Sequence, residues 1–191
     1  VHLCHHNLET IQTNDYNSSN AKHDLLAEVC YAAKEEGDLI KDHYTNHERT
    51  NKGTASELCT VLARSFADIG DIVRGRDIFR GNDEEKKQRD KLDKNFKKYF
   101  QQIHDDVTKT NRELKARYKK DEEDKNYYQL REDWWNNNRI MVWIAMTCGA
   151  PDNAKYFRQT CNGGTSSTNT QCRCTTHVVP TYFDYVPQFL R

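Results

Sequence analysis

Apolar residues recur at helical intervals along most of the chain and predict its secondary structure. Between Asp24 and Tyr44 they return every three or four residues, which is typical of one buried helix face. A polar linker, Thr45 to Gly53, precedes a second helical stripe. That stripe consists of Leu58, Val61, Leu62, Ser65, Phe66 and Ile69. Thr54 and Glu57 just before it have the spacing of a capping box, which predicts a helix start near Ala55.

Two long helices are predicted in the middle of the chain. The segment Glu84 to Lys109 is strongly amphipathic, and the segment Tyr127 to Cys148 carries all three tryptophans. Between them, Arg112 to Lys125 is almost wholly charged, so we expect a solvated helix or a mobile loop there. The two long helices are therefore expected to form an antiparallel pair.

Breaks in the pattern predict turns and loops. Gly70 and Gly75 interrupt the second stripe beside several charged residues, so its helix is expected to end in a charged turn. Gly149 to Pro180 is rich in Gly, Ser, Thr and Asn, which predicts a long loop held by cysteines. Tyr182 to Arg191 is expected to begin a last helix. No segment alternates convincingly as a strand would, so the predicted fold class is all-α.

Composition and charge narrow the function classes. The 191 residues suffice for one domain or two packed subdomains. The 29 basic residues equal the 29 acidic ones, whereas nucleic-acid-binding proteins normally carry a basic excess. The longest apolar run, Ile140 to Met146, is far shorter than the roughly 20 residues of a membrane-spanning helix. We therefore expect neither a nucleic acid partner nor direct membrane insertion by this sequence.

The cysteine content indicates disulfides and an extracellular setting. The seven cysteines are Cys4, Cys30, Cys59, Cys148, Cys161, Cys172 and Cys174. Structural zinc is the alternative, but zinc sites usually show paired ligands two to four residues apart, and here only Cys172 and Cys174 are so paired. Because the count is odd, at least one thiol lacks a partner within this sequence.

No motif indicates catalysis. The sequence has no nucleophile elbow, phosphate-binding loop or metalloprotease motif, and we interpret Asp68, Asp71 and Asp77 as capping and ion-pairing residues. Trp134 and Trp135 could stack on a sugar, but neighbouring helical residues point about 100 degrees apart, so at least one is expected in the core. We predict no enzymatic activity and no cofactor.

Clustered basic residues are the candidates for a ligand surface. Those expected to bind a sulfated glycan are Arg74, Arg76, Arg80, Lys86 and Lys87. Guanidinium groups bind such anions through paired hydrogen bonds. Acidic residues interleave with this cluster, and self-paired, solvated helix faces are the competing interpretation.

Three stretches of the sequence resemble a known family. They are LARSFADIGDIVRGRDIF at 62–79, LREDWWNNNRIMVWIAMTCG at 130–149 and DYVPQFLR at 184–191. In this order they resemble the alpha class of Duffy-binding-like domains, found at the head of the variant erythrocyte membrane proteins of Plasmodium falciparum. The resemblance implies a disulfide-stapled helical fold with long antiparallel helices and extended loops. It also implies that residues 1–53 end subdomain 1 with a linker, that 54–191 form a C-terminally truncated subdomain 2, and that subdomain 3 is absent.

The same resemblance implies disulfide partners. It pairs Cys59 with Cys172 or Cys174. We further expect Cys148 to bond Cys161 and Cys4 to bond Cys30.

The function implied by the resemblance is adhesion. The chain would belong to a membrane-anchored antigen on the outer face of the infected erythrocyte, acting in cytoadherence and rosetting. Expected partners are host erythrocyte or endothelial receptors, with heparan sulfate and blood-group glycans among the candidates, and antibodies. The alternatives are a scaffold that supports an adjacent receptor-binding region, and an erythrocyte-invasion ligand.

Overall fold

The computed structural model describes residues 21–50, 57–78 and 82–191, and only the backbone of 47–50. Six α-helices cover most of these residues. They are α1 (Ala21–Thr50), α2 (Leu58–Arg74), α3 (Asp83–Thr110), α4 (Arg112–Arg117), α5 (Lys119–Asp124) and α6 (Tyr128–Met146). Four short 3-10 turns follow in the last part of the chain. The described residues contain no strand, only an isolated bridge between Cys161 and Ser166, and the predicted all-α fold is confirmed.

The chain divides into two units. The first contains the described residues of Cys30–Gly70 and Arg139–Arg191, and the second contains 21–29 and Asp71–Asn138. The two boundaries inside the central region fall within α2 and α6. The predicted division of the sequence after residue 53 stays a prediction.

Aromatic packing and a close helix approach form the core of the first unit. Trp143 of α6 meets Phe66 of α2 edge-on, with ring centroids 5.3 Å apart. The Trp143 indole N–H donates to the carbonyl oxygen of Cys172 at 3.1 Å. A Cβ at Gly37 of α1 would lie 2.0 Å from the carbonyl oxygen of Met146. Only glycine therefore fits at this point of α1.

Two disulfides hold the long loop of the first unit. Cys59 bonds Cys172, which confirms one of the two pairings left open for Cys59. Cys161 bonds Cys174, so the expected bond between Cys148 and Cys161 is wrong. The reason is that Cys161 and Cys174 are both buried with their Cα atoms 5.5 Å apart, whereas Cys148 is exposed as a free thiol.

The remaining expected disulfide joins Cys30 to Cys4. Cys30 is half-buried on α1 and has a free thiol. Burial raises the pKa of this thiol to about 11. Cys4 lies outside the described residues.

The second unit is built on α3 and the first half of α6. Arg131 of α6 contacts Asp93, near the start of α3, and Tyr127 lies against His104, near its end. Residues later in α6 therefore meet residues earlier in α3, which confirms the antiparallel pair. Trp134 and Trp135 are both buried in this unit, as core residues rather than a sugar platform.

Of the expectations about helix ends, one is wrong. The helix of the second stripe runs through Gly70 to Arg74 and ends at Gly75 in a charged turn, as expected. Tyr182 to Arg191 forms two 3-10 turns rather than an α-helix, because Pro187 has no N–H to donate within a helix. The charged segment 112–125 forms the short helices α4 and α5. The expected start of α2 near Ala55 lies outside the described residues.

Candidate receptor-binding surface

The arginine cluster predicted to bind glycans begins at the C-terminal end of α2. Gly75 has a φ of +70° and donates its N–H to the Ile72 carbonyl at 3.1 Å. The N–H of Arg76 donates to the Asp71 carbonyl at 2.8 Å. This pair of bonds is the Schellman motif, in which a left-handed residue after the helix satisfies its last carbonyls. Gly75 therefore has a backbone role in ending α2.

Arg74 is not available to a ligand. Its side chain is buried, with 1% of its surface exposed. The guanidinium donates to Asp71 at 2.9 Å and lies 3.5 Å from Glu132. The expectation that this part of the chain exposes Arg74 is wrong, because the residue falls on the buried face of α2. Removing its charge from water is compensated by two carboxylates.

The rest of the predicted cluster differs in exposure. Arg76 is 58% exposed and forms an ion pair with Glu132 at 2.9 Å. Lys86 and Lys87 are exposed on the first turns of α3, and neither forms an ion pair with another described residue. Arg80 lies outside the described residues. Of the five predicted residues, the structure thus exposes Arg76, Lys86 and Lys87.

Sequence analysis missed a buried arginine that joins the end of α2 to α3 and α6. Arg131 of α6 is fully buried and donates from Nε to the Val73 carbonyl at 2.6 Å and from Nη2 to the Ile72 carbonyl at 3.1 Å. Its Nη1 donates to Asp93 at 3.0 Å. The side chain therefore caps the last carbonyls of α2. The signal in the sequence is a charged residue on the apolar face of α6, directly after Leu130.

Burial and neighbouring charges shift the pKa values of Arg131 and Asp93. Burial lowers the pKa of the Arg131 guanidinium, while Asp93 opposes that change. Burial also raises the pKa of Asp93, but hydrogen bonds and charges from Lys97 and Arg131 outweigh it and leave the pKa below its usual value. Asp93 is therefore ionised at neutral pH.

A groove of about 900 Å³ lies next to these residues in the second unit. Ile72, Leu92 and Phe96 contribute apolar surface, and Lys86, Asp83, Asp90 and the ion pair of Asp77 with Arg89 contribute charge. Acidic side chains outnumber basic ones among the residues that line it. This balance favours a cationic or neutral ligand over a sulfated one inside the groove.

The third stretch that carries the family resemblance, the signature DYVPQFLR at 184–191, also contains structural ion pairs. Asp184 is buried and accepts two hydrogen bonds from Arg139 of α6, at 2.8 and 2.7 Å. Arg139 also donates to the Thr181 carbonyl at 2.8 Å. Arg191 donates to Asp68 of α2 at 3.0 Å. The charged residues of this signature thus hold the end of the chain on the first unit.

Metal-binding and membrane-spanning features are not found in the described part of the chain. Among the residues that the structure describes, no group of three or more His, Cys, Asp and Glu side chains is placed to hold a metal ion. None of the described helices combines the length and apolar character required to cross a bilayer.

Comparison with known proteins decides the family. The Duffy binding domain profile matches residues 1–191. The chain belongs to the Duffy binding domain family. This membership confirms the resemblance seen in the sequence, and the family is one of adhesion domains rather than known enzymes. No curated protein sequence matches the chain.

Solved structures agree with this assignment. This Duffy binding domain is similar to the NTS-DBL1α domain of Plasmodium falciparum membrane protein 1 (PfEMP1) from the varO strain. The identity is 41% and the TM-score 0.76, over 99% of this chain and 40% of the other. A structure of the DBL1α and CIDRγ double domain from the same strain also matches at 41% identity and a TM-score of 0.72, over 99% of this chain and 25% of the other.

A structure of another class adds information about ligands. The ICAM-1-binding DBLβ domain of a PfEMP1 protein is 32% identical, with a TM-score of 0.68, over 99% of this chain and 39% of that chain. The present chain therefore spans about 40% of the single-domain structures that it matches.

Proposed function

We propose that this chain is part of an adhesion module that binds receptors on host cells. The observation that carries the proposal is the family match over residues 1–191 together with 41% identity to a DBL1α domain of PfEMP1. The receptor class is supported by the DBLβ relative solved with ICAM-1 bound, which is 31% identical. The antigen would be displayed on the outer face of the infected erythrocyte as part of a larger, membrane-anchored protein.

The test is direct binding to an array of host receptor ectodomains and glycans. Recombinant complete domain is applied beside the 191-residue chain, and the same proteins after reduction of their disulfides serve as the control. We expect saturable binding to at least one receptor that reduction abolishes, because the loop fold depends on both disulfides. Absence of binding by folded complete domain would contradict the proposal.

A second candidate is binding of heparan sulfate by the exposed part of the basic cluster. The supporting observation is that Lys86 and Lys87 are exposed without ion pairs and that Arg76 lies nearby in sequence, just after α2. This charge argument does not extend to the binding of blood-group glycans. The acidic side chains lining the neighbouring groove weigh against this candidate, because they repel sulfates.

The glycan candidate is tested with serine substitutions. The triple variant Arg76→Ser, Lys86→Ser and Lys87→Ser should elute from heparin at lower salt than the unmodified protein, since fewer counterions are displaced on binding. The matched control is Lys91→Ser, Lys94→Ser and Lys98→Ser on α3. Unchanged elution of the folded triple variant would instead favour the scaffold role, in which an adjacent region contacts the receptor.

A further inference from the structure

An aromatic cluster reaches the surface of the first unit. The rings of Phe157 and Phe183 are stacked, with centroids 6.3 Å apart and an interplanar angle of 20°. Tyr156 packs against both rings at 4.9 and 6.2 Å. Tyr156 itself is buried, whereas Phe157 keeps 44% of its surface exposed. A phenylalanine so exposed is common at protein interfaces.

Three exposed cations surround this cluster. Arg64 projects from α2, and Lys155 and Arg158 flank the aromatic pair Tyr156 and Phe157. The Arg158 guanidinium carbon lies 5.1 Å from the centroid of the Phe157 ring. Within the described part of the chain none of the three forms an ion pair with a carboxylate. This sets them apart from Arg74, Arg76, Arg131 and Arg139, all of which are paired.

Two hydrogen bonds join the start of α2 to the segment that carries Lys155, Phe157 and Arg158. The N–H of Cys59 donates to the Lys155 carbonyl at 3.1 Å, and the N–H of Phe157 donates to the Thr60 hydroxyl at 3.0 Å. Arg64 lies four residues after Thr60, on the same face of α2. The nearby Cys59–Cys172 bond further restrains the start of α2. The cations are therefore presented by a rigid support.

The charges of two of the cations also act on the buried phenol of the cluster. The Tyr156 hydroxyl donates to the Thr181 hydroxyl at 3.1 Å. Burial raises the pKa of Tyr156, and the charges of Arg158 and Arg64 counteract that rise. Both guanidinium groups thus act on one phenol.

We propose that Arg64, Lys155, Phe157, Arg158 and Phe183, here called the basic aromatic surface, are a docking site for a protein partner that presents acidic side chains around an apolar one. Charge complementarity identifies the occupant, because three unpaired cations border one exposed apolar ring. Aromatic residues and arginine are also the side chains that dominate binding energy at interfaces. Phe183 stacks with the Phe157 ring and the Arg158 guanidinium lies over it, which leaves less of the ring face for a stacked sugar, so a protein is favoured over a glycan. The proposal rests on the proposed adhesive function and gives that function a location.

The test measures binding of recombinant protein containing this chain to human erythrocytes and endothelial cells. The variant combines Arg64→Glu, Lys155→Glu and Arg158→Glu. The control combines Lys94→Glu, Lys98→Glu and Lys120→Glu, which make the same charge change at exposed lysines of the second unit. We expect at least a tenfold loss of affinity for the variant and less than a twofold change for the control. A Phe157→Ser variant should also lose affinity.

Enzymatic treatment of the target cells distinguishes a protein partner from a sulfated glycan. Digestion of the cells with trypsin should remove the binding, and digestion with heparinase should leave it unchanged. Thermal unfolding followed by circular dichroism verifies that each variant is folded.

Unchanged binding by both the triple variant and Phe157→Ser would overturn the proposed site while leaving adhesion intact. Loss with heparinase alone would overturn it in favour of a sulfated glycan, and absence of binding by unmodified protein would contradict adhesion itself.

Discussion

Several charged residues of the stretches that carry the family resemblance act inside the fold. Arg74 and Arg131 are buried in the second unit, and Arg139 is largely buried in the first, each with one or two carboxylates or several carbonyls as partners. An unpartnered buried cation would be strongly destabilising, so each needs this set of acceptors. These buried charges are therefore explained by folding, and ligand binding is left to exposed residues, among them Arg64 and Arg76 of the first stretch.

Gly75 is expected to be the least replaceable glycine of the described turns. Its φ is +70°, and a Cβ there would lie 2.9 Å from the Arg131 guanidinium. Gly163 has a φ of +69° but no heavy atom within 4 Å of such a Cβ. Gly163→Ala should lower the free energy of unfolding by about 1 kcal/mol, because alanine disfavours the left-handed conformation. Gly75→Ala should lower it by clearly more, because the added Cβ also meets Arg131.

Urea denaturation of both variants measures the difference in the free energy of unfolding. Because the φ angles of the two glycines match, the additional loss of unfolding free energy in Gly75→Ala reports the displacement of Arg131. Equal losses would show that Arg131 moves aside freely and is not an essential cap of α2.

At the scale of elements, side chains at helix ends position the helices of the second unit. Asp121 in α5 is buried, and its carboxylate accepts hydrogen bonds from the N–H groups of Gln129 and Leu130 at 3.1 and 2.8 Å. These groups lie in the first turn of α6, where N–H groups lack partners within the helix. The acidic segment before α6 thus supplies its N-terminal cap.

Replacing Asp121 with Ala should destabilise the protein by about 1–2 kcal/mol, because the two N–H groups lose their acceptor. Asp106→Ala is the control, since Asp106 is exposed and its loss changes the net charge equally. Thermal unfolding of the two variants checks the prediction. A Tm for Asp121→Ala equal to that of the control would show that water replaces the cap without cost.

Asp133 of α6 should make stability depend on pH. Hydrogen bonds from Arg117, at 2.6 and 2.8 Å, and from the Tyr118 hydroxyl hold its pKa below the usual value. A carboxyl with a depressed folded pKa stabilises the fold above its unfolded pKa of about 4, and this contribution disappears as the pH falls through the folded pKa.

Asp133→Asn should therefore cost roughly 1 kcal/mol at pH 7, in the range of well-formed surface ion pairs. The cost should shrink steadily below pH 4. Urea titrations of the variant and the unmodified protein at pH 7, 4 and 3 measure it. A difference that stays constant over these pH values would argue against a role for the ionised carboxylate.

At the scale of the whole molecule, two disulfides stabilise a chain that is rich in charged residues and has a long loop after α6. The Cys59–Cys172 bond links residues 113 apart in sequence, and the Cys161–Cys174 bond links residues 13 apart. Closing a longer loop removes more conformational entropy from the unfolded chain. The first bond ties the start of α2 to the loop, and the second fixes the loop upon itself.

Replacing Cys59 and Cys172 with Ser should cost about 4–5 kcal/mol in the loop-entropy model. The same change at Cys161 and Cys174 should cost about 3 kcal/mol. Tm values from thermal unfolding rank the two variants. Mapping of non-reduced peptides from the unmodified protein tests the pairing itself, and a free Cys59 thiol in folded protein would refute it.

The sequence by itself determined the helices, the loop and the family. Helical periodicity is local, since residues three or four apart share a face wherever the helix lies. It therefore predicted α3 and α6 to within about two residues, and the signatures around Gly75 and Pro187 carried the resemblance. The same local reasoning allowed several cysteine pairings, because sequence spacing does not say which thiols meet.

Only the tertiary structure decided which charges are buried and which are free. Arg74 and Arg64 both belong to α2, beside acidic neighbours, and look alike in the sequence. Folding places Arg74 against Asp71 and Glu132 but leaves Arg64 exposed near Tyr156. The reason is that burial and pairing depend on distances between residues far apart in the chain, as between Arg74 and Glu132. No local pattern contains those distances.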